Sequence, residues 1–169
     1  YIGLSSFSKW MARNIEKRAI SSASAQVFSS NWARCSAKDE FNAKHASVIP
    51  FGSSLVPAQN QKSEKVVNHD TSWNLLFIGV DWKRKGGDVI VGAFNELLEK
   101  GKRVSLTIVG CNPTIKHEAI EIFPFLDKNK ADDLAKLKQL FANSNLLVLP
   151  TQADCSPIVI GEAYAFSTP

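Results

Sequence analysis

The segment that follows the last apolar run of the chain has the residue types of an anion site. Ser156 followed by Pro157 is typical of a helix start, because a serine N-cap accepts a hydrogen bond from a free backbone amide and proline at the first helical position loses none. The amides of Ile158 and Val159 would then lie unpaired in the first turn, where the helix dipole favours negative charge. The sequence therefore predicts a phosphate-binding helix tip.

Two acidic residues flank this predicted phosphate site. Glu162 follows Ile158 by four residues, so it shares the same helix face about one turn further in. The neighbouring Gly161 removes a side chain where a ligand approaches. Asp154 lies in the loop before the helix and is placed to reach a polyol on the other side of the phosphates. The pattern predicts a nucleoside diphosphate sugar, although a strand, a loop and a capped helix with one glutamate are also common in other α/β proteins.

The elements that must position these residues follow the pattern of a parallel sheet. Residues 73–79, 104–110, 121–123 and 146–149 read as short apolar strands. Amphipathic helices separate them, one ending at Gly101 and another opening at Asp132 and Asp133. Strands that alternate with helices predict an α/β fold, a Rossmann-like parallel sheet with flanking helices. Ligands of such sheets bind beyond the carboxyl ends of the strands.

The last residues of the chain, from 149 onward, resemble the donor-binding motif of the family 4 retaining glycosyltransferases, which have the GT-B fold. In that motif two acidic residues are separated by seven others, and the second is followed by alanine. Here the pair is Asp154 and Glu162, followed by Ala163, and residues 166–169 stand where the family usually has Gly-Thr-Pro. The chain departs from the motif at Asp154, where glutamate is usual, and at residues 155–157, where Gly-aromatic-Gly is usual.

The resemblance also assigns residues in the loop after the first strand of this sheet. Lys85 stands before a glycine, where the family has a phosphate-binding lysine, in the loop that follows Gly79. Its ammonium would stabilise the charge that builds up on the leaving diphosphate. The resemblance also implies that Gly79 is a donor-binding residue. The family's arginine directly after the strand's glycine is replaced here by Val80, so Arg84 or Lys83 is the candidate substitute. A solvated basic run is the alternative interpretation.

The resemblance implies transfer of a sugar from a nucleoside diphosphate sugar donor to an unknown glycosyl acceptor, with retention at the anomeric carbon. Lys85 and Asp154 would be the catalytic residues, and Glu162 would hold the ribose. The transfer would need no cofactor and no metal; Asp81 and Asp154 without a third ligand are weak evidence for a cation site. Two alternatives stay open: a GT-B nucleotide-sugar 2-epimerase, and a non-enzymatic flavodoxin-like binding module.

The first part of the chain carries a second resemblance to the same enzymes. Asn31 is predicted to cap the helix that follows it, and residues 28–33 and 48–52 look like the end of the acceptor-side domain and the crossing between domains. We therefore expect three regions: residues 1–52 from the acceptor domain and the crossing, residues 53–72 as a polar linker or exposed loop, and residues 73–169 as an incomplete donor-binding domain. A chain of this kind is expected to be a fragment that binds the donor weakly without turnover.

Composition narrows the classes of protein. The 169 residues are 44% apolar and 21% charged, which is ordinary for a soluble globular protein. A net charge of +4 is too small and too scattered to indicate nucleic-acid binding. The cysteines at 35, 111 and 155 form neither a disulfide framework nor a metal motif, so reduced thiols in a cytoplasmic protein are expected.

The chain also contains no apolar run near the roughly 20 residues of a membrane span. Residues 4–20 form an amphipathic helical pattern that includes Trp10 and several basic residues. We expect this helix to pack against a sheet. The alternative is peripheral contact with a membrane surface, for which a basic helix with tryptophan is also suited.

Overall fold

The structure is a computed structural model that describes residues 3–57, 72–154 and 157–169. The chain forms two compact units, Tyr1–Phe51 and Gly52–Pro169. Within the described ranges, no helix has the length and apolar character needed to cross a membrane.

The first unit consists of two helices and two short strands, in the order α1 (Ser6–Ser22), β1 (Gln26–Phe28), α2 (Asn31–Phe41) and β2 (Ala46–Val48). The two strands pair in parallel. Helix α1 begins after Ser5, whose Oγ accepts from the amide of Ser8 at 3.1 Å. Helix α2 begins after Ser30, whose Oγ accepts from the amide of Ala33 at 3.2 Å. The sequence pattern placed this cap one residue later.

Helix α1 confirms the predicted amphipathic helix, but its apolar face does not pack against a sheet within the first unit. The helix has no buried residue, and Phe7 and Trp10 are 67% and 63% exposed. Arg13 of this helix contacts α2: it lies 3.5 Å from the carboxylate of Glu40 and 5.7 Å from the ring centre of Phe41. A charged side chain therefore takes part in joining the two helices.

The second unit is built on one parallel sheet, which confirms the predicted Rossmann-like arrangement. Its elements are β3 (Trp73–Ile78), α3 (Gly87–Glu99), β4 (Val104–Val109), β5 (Ile120–Phe123), α4 (Ala131–Asn143), β6 (Leu146–Leu147) and α5 (Ile158–Ala165). The strand order is β5-β4-β3-β6, and every neighbouring pair is parallel.

The strand order places a topological switch point between β3 and β6. From β3 the chain moves outward through β4 to β5, and it then returns to the opposite side of β3 for β6. Strands β3 and β6 are neighbours in the sheet but are not consecutive along the chain, and at such a switch point a ligand crevice is expected beyond the carboxyl ends of the two strands. The described segments that follow these two strands are residues 79–86 and residues 148–154.

Helices cover both faces of the sheet, as the alternation of side chains along β3 requires. Leu76 packs on the face covered by α4 and α5, with Phe141 at its centre. Phe77 points to the opposite face and packs with Phe94 of α3 and with Ile108 of β4. All five side chains are 0% exposed, so the carboxyl edge of the sheet rests on a well-packed core.

Residues 53–57, at the start of the predicted linker, belong to the second unit. Leu55 is 3% exposed and packs in the core cluster on the α4 and α5 face. The Oγ of Ser53 donates to the carbonyl of Leu55 at 2.7 Å, and the amide of Leu55 donates back to this Oγ at 3.1 Å. These bonds fix a short turn against the core. Residues 58–71 of the predicted linker lie outside the described residues.

Candidate functional site

The loops after β3 and β6 are bonded directly to each other across the crevice. The amide of Gln152 donates to the carbonyl of Arg84 at 2.9 Å, and the hydroxyl of Thr151 donates to the same carbonyl at 3.2 Å. In the other direction, Nη1 of Arg84 donates to the carbonyl of Ala153 at 2.8 Å. Two segments that are far apart in sequence are thereby held in one fixed arrangement.

Two glycines allow the loops to approach this closely. Gly86 has φ +80°, and a Cβ at this position would lie 2.0 Å from the carbonyl oxygen of Pro150. Gly79 ends β3, and a Cβ there would lie 2.9 Å from Cγ of Lys85. Gly79 was predicted as a donor-binding residue; the structure shows that its missing side chain makes room for the aliphatic part of Lys85.

The crevice brings together the two predicted catalytic residues. Nζ of Lys85 forms an ion pair with Oδ2 of Asp154, and the two side chains are only 14% and 15% exposed. An ion pair with so little solvent around it is screened weakly, so the ammonium and the carboxylate act strongly on any charged group that enters. A diphosphate would meet both of them at this point.

The other two basic side chains of the run 83–85 each pair with a nearby carboxylate. Nε of Arg84 lies 3.3 Å from Oδ2 of Asp81, in addition to the Nη1 bond to a carbonyl described above. Lys83 pairs with Asp88 at 2.5 Å. The bond from Lys83, together with one from the indole of Trp82, lowers the pKa of Asp88. The structure therefore gives Arg84 a part in joining the loops, whereas the sequence suggested phosphate binding for it.

The predicted helix tip is present, with a shifted start. Helix α5 begins at Ile158, and Pro157 precedes it in extended conformation at φ −70° and ψ 110°. Pro157 is thus the flanking residue and not the first helical one, and Ser156 lies outside the described residues. The amide of Ile160 donates to the carbonyl of Pro157 at 3.1 Å. The amides of Ile158 and Val159 stand in the first turn, where helix geometry supplies no partner.

Glu162 lies in α5 as predicted, but its carboxylate is buried and paired within the second unit. The residue is 3% exposed. Its Oε1 accepts from the hydroxyl of Ser54 and from Nζ of Lys128, each at 2.5 Å. Sequence reasoning missed both partners. For Lys128 a signal existed, since it follows β5 and so belongs to the same carboxyl edge of the sheet; for Ser54 there was none.

The two carboxylates considered as weak cation ligands each contact a basic side chain. Asp81 is paired with Arg84, and Asp154 is paired with Lys85. In the parts of the chain that the structure describes, no three His, Cys, Asp or Glu side chains come close enough together to hold a metal ion.

Of the two cysteines that the structure describes, Cys111 is expected to react more slowly. Cys111 follows β4, is partly buried, and has its pKa raised by burial, whereas Cys35 is exposed. A raised pKa leaves less thiolate at a given pH, and the thiolate is the reactive form. We therefore expect iodoacetamide to modify Cys111 more slowly than Cys35 in the folded chain and at a similar rate in urea, as measured by peptide mass spectrometry. Equal rates in the folded chain would contradict this assignment.

Comparisons with known proteins fit this geometry. The family model described as Glycosyl transferases group 1 matches residues 73–169. Among curated proteins there is no significant match. Among solved structures, the crystal structure of TarM is similar at 12% sequence identity with a TM-score of 0.66, over 94% of this chain and 31% of that chain. At this identity the likeness shows the fold, which is GT-B. The chain spans less than a third of the TarM chain.

Proposed function

The chain belongs to the group 1 glycosyl transferase family, and we propose that it supplies the donor-binding part of an enzyme that uses a nucleoside diphosphate sugar. The observation that carries this proposal is the ion pair of Lys85 and Asp154 at the switch point. Asp154 stands four residues before the first residue of α5. An ammonium, a carboxylate and a helix tip therefore lie along one edge of the sheet, which suits a ligand with an anionic centre and a polyol.

In the proposed reaction the diphosphate binds to Lys85 and to the first-turn amides of α5, at Ile158 and Val159. The bond between the anomeric carbon and the phosphate oxygen breaks, and the diphosphate leaves with the electron pair. The acceptor hydroxyl gives its proton to an oxygen of the leaving diphosphate and bonds to the anomeric carbon on the same face, which is retention. Lys85 stabilises the charge on the leaving group. Asp154 accepts hydrogen bonds from hydroxyls of the transferred sugar.

The donor enters this proposal as the substrate, with no cofactor. We propose that the first unit, which contains α1, α2 and their two strands, is the end of an acceptor-side domain. The acceptor groups themselves would then be supplied by other parts of a complete enzyme. The chain is accordingly expected to bind nucleotide without turning the donor over.

Heteronuclear NMR of the 169-residue chain tests the proposal. UDP, GDP and ADP are titrated separately, with inorganic pyrophosphate as the phosphate-only ligand. At least one nucleotide is expected to shift the amide signals of Ile158 and Val159 and those of Lys85 and Gly86, with weaker shifts from pyrophosphate. If all four ligands leave these signals unchanged at millimolar concentration, the donor-binding assignment is wrong.

A further inference from the structure

We propose that Lys128 and Ser54 position the carboxylate of Glu162 for the ribose hydroxyls of the donor, and that they thereby determine selectivity for a ribonucleotide. The inference rests on the proposed function, because it concerns the same ligand. It adds two residues that lie outside the motif Asp154 to Glu162, on two different loops.

Burial of Glu162 requires these partners. A carboxylate removed from water is costly unless it is paired and hydrogen-bonded, and the side chain of Glu162 is 4% exposed. Lys128 supplies the opposite charge and Ser54 a neutral donor, each at 2.5 Å. Both bonds are made to Oε1. Neither of them uses Oε2, the oxygen with which the carboxylate can accept from a ligand hydroxyl.

Lys128 is held in place by the turn that contains it. The amide of Asp127 donates to Oδ2 of Asp133 at 2.9 Å, in the first turn of α4. Oδ1 of Asp127 accepts from the amide of Asn129 at 2.9 Å, and this bond lowers the pKa of Asp127. The carbonyl of Asp127 accepts from the amide of Lys130 at 2.9 Å. A turn with three such bonds delivers the lysine to Glu162 with little freedom of its backbone.

Ser54 is fixed from the other side by the core. Its neighbour Leu55 is 3% exposed in the cluster on the α4 and α5 face. Nζ of Lys128 also lies 3.4 Å from the hydroxyl oxygen of Ser54. Ser54, Lys128 and Glu162 thus form a closed triangle of contacts, and rotation of any one side chain would break two of them.

The chemistry of this triangle suits a sugar diol close to a diphosphate. A carboxylate is a strong acceptor for two hydroxyls, but its negative charge would repel phosphates bound one helical turn away. The ammonium of Lys128, whose side chain is 46% exposed, offsets that repulsion while leaving one carboxylate oxygen to accept. Removing Lys128 would leave the side chain of Glu162 free to rotate, and rotation weakens its bond to a hydroxyl.

The test compares a nucleoside diphosphate that binds the wild-type chain with its 2′,3′-dideoxy analogue, by calorimetry. A site built to bond hydroxyls rejects the analogue that lacks them. We therefore expect the wild type to bind the ribonucleotide about tenfold more tightly than the analogue.

Lys128→Met is expected to reduce this preference to near one, mainly because it weakens binding of the ribonucleotide. Lys128→Arg is expected to restore most of the preference. Ser54→Ala should give an intermediate preference. Lys130→Met, which removes the same charge from the same turn, should keep the wild-type value.

Each outcome decides one part of the proposal. If the wild type binds no nucleoside diphosphate, the proposed function and this inference fail together. If it binds and discriminates, but Lys128→Met discriminates equally well, only the inference fails. If Lys128→Met loses affinity equally for the ribonucleotide and for its dideoxy analogue, the lysine acts only through its charge, and the positioning role is also overturned. Should Lys128→Met not fold, as judged by circular dichroism, unchanged preference in Ser54→Ala overturns the inference by itself.

Discussion

Replacement of Lys85 by alanine is expected to weaken nucleoside diphosphate binding by about 100-fold, or about 3 kcal/mol, because truncating one partner of a buried charge pair costs roughly 2 to 5 kcal/mol. Two effects add in the same direction. The phosphates lose an ammonium that is largely shielded from water. In addition, the carboxylate of Asp154 is left unpaired at 15% exposure and repels the incoming anion.

The second effect can be measured by a double-mutant cycle. Asp154→Asn keeps the shape of the side chain and removes the charge, so it frees Lys85 for the phosphates, and we expect diphosphate binding to become tighter. The double variant should bind the diphosphate about tenfold more tightly than Lys85→Ala alone, because the unpaired carboxylate that repels the phosphates is gone. Calorimetry with a nucleoside diphosphate measures all four corners of the cycle.

Lys83→Ala is the matched control for Lys85→Ala. Lys83 belongs to the same basic run, but its side chain is 81% exposed and pairs with Asp88. Exposed pairs contribute little, so its removal should change binding by less than about threefold. If the two alanine variants bind the nucleoside diphosphate equally well, residues 83–85 act only through their total positive charge. The assignment of Lys85 as a phosphate-binding residue would then be wrong.

The sequence could predict that Lys85 and Asp154 lie at the same edge of the sheet. Apolar runs located the strands, each residue lies in a loop after one of them, and the carboxyl ends of parallel strands share one edge. The resemblance to the glycosyltransferases assigned both residues to one site. The order β5-β4-β3-β6, which makes their loops neighbours, is a finding of the structure, and the ion pair joins residues separated by 69 positions.

The same geometry places Lys128, which follows β5, at the carboxyl edge of the sheet, but it predicts neither the pairing of Lys128 with Glu162 nor the contact of Ser54. Ser54 and Lys128 are 108 and 34 residues from Glu162, and both lie in loops, where no periodicity indicates the direction of a side chain. The contacts of Arg84 could not be predicted for a related reason. Its bonds to Asp81 and to the carbonyl of Ala153 depend on the local path of two loops, and residue type alone does not show that path.

Helix starts were predicted only to within a residue. Ser30 and Asn31 are both good N-caps, and the structure uses Ser30. Pro157 is suited to the first helical position, but it takes extended angles and the helix starts after it. Neighbouring residues with similar capping ability differ by little free energy, so tertiary contacts decide between them.

Replacement of Gly86 by alanine is expected to lower the free energy of unfolding of the second unit by about 3 kcal/mol or more, the size of effect that strain and overpacking produce together. Gly86 has φ +80° and ψ 32°, a left-handed conformation that costs an alanine about 1 to 2 kcal/mol. The new Cβ would lie 2.0 Å from the carbonyl oxygen of Pro150 and 2.8 Å from its carbonyl carbon. These are backbone atoms and cannot rotate away, so the two loops would have to separate.

Gly92→Ala makes the same chemical change with the opposite expected sign. Gly92 lies inside α3, and a Cβ there would meet nothing within 4 Å. Alanine is favoured over glycine in a helix by roughly 0.5 to 1 kcal/mol, so this variant should be slightly more stable than the wild type. Urea denaturation followed by circular dichroism measures both changes.

The same pair of variants also tests nucleotide binding. Because separation of the loops would move Lys85 away from Asp154, Gly86→Ala should weaken nucleotide binding and Gly92→Ala should not. Equal stability of the two variants would mean that the loops are not packed together at Gly86 and Pro150, and the geometry proposed for the donor site would be lost with that contact.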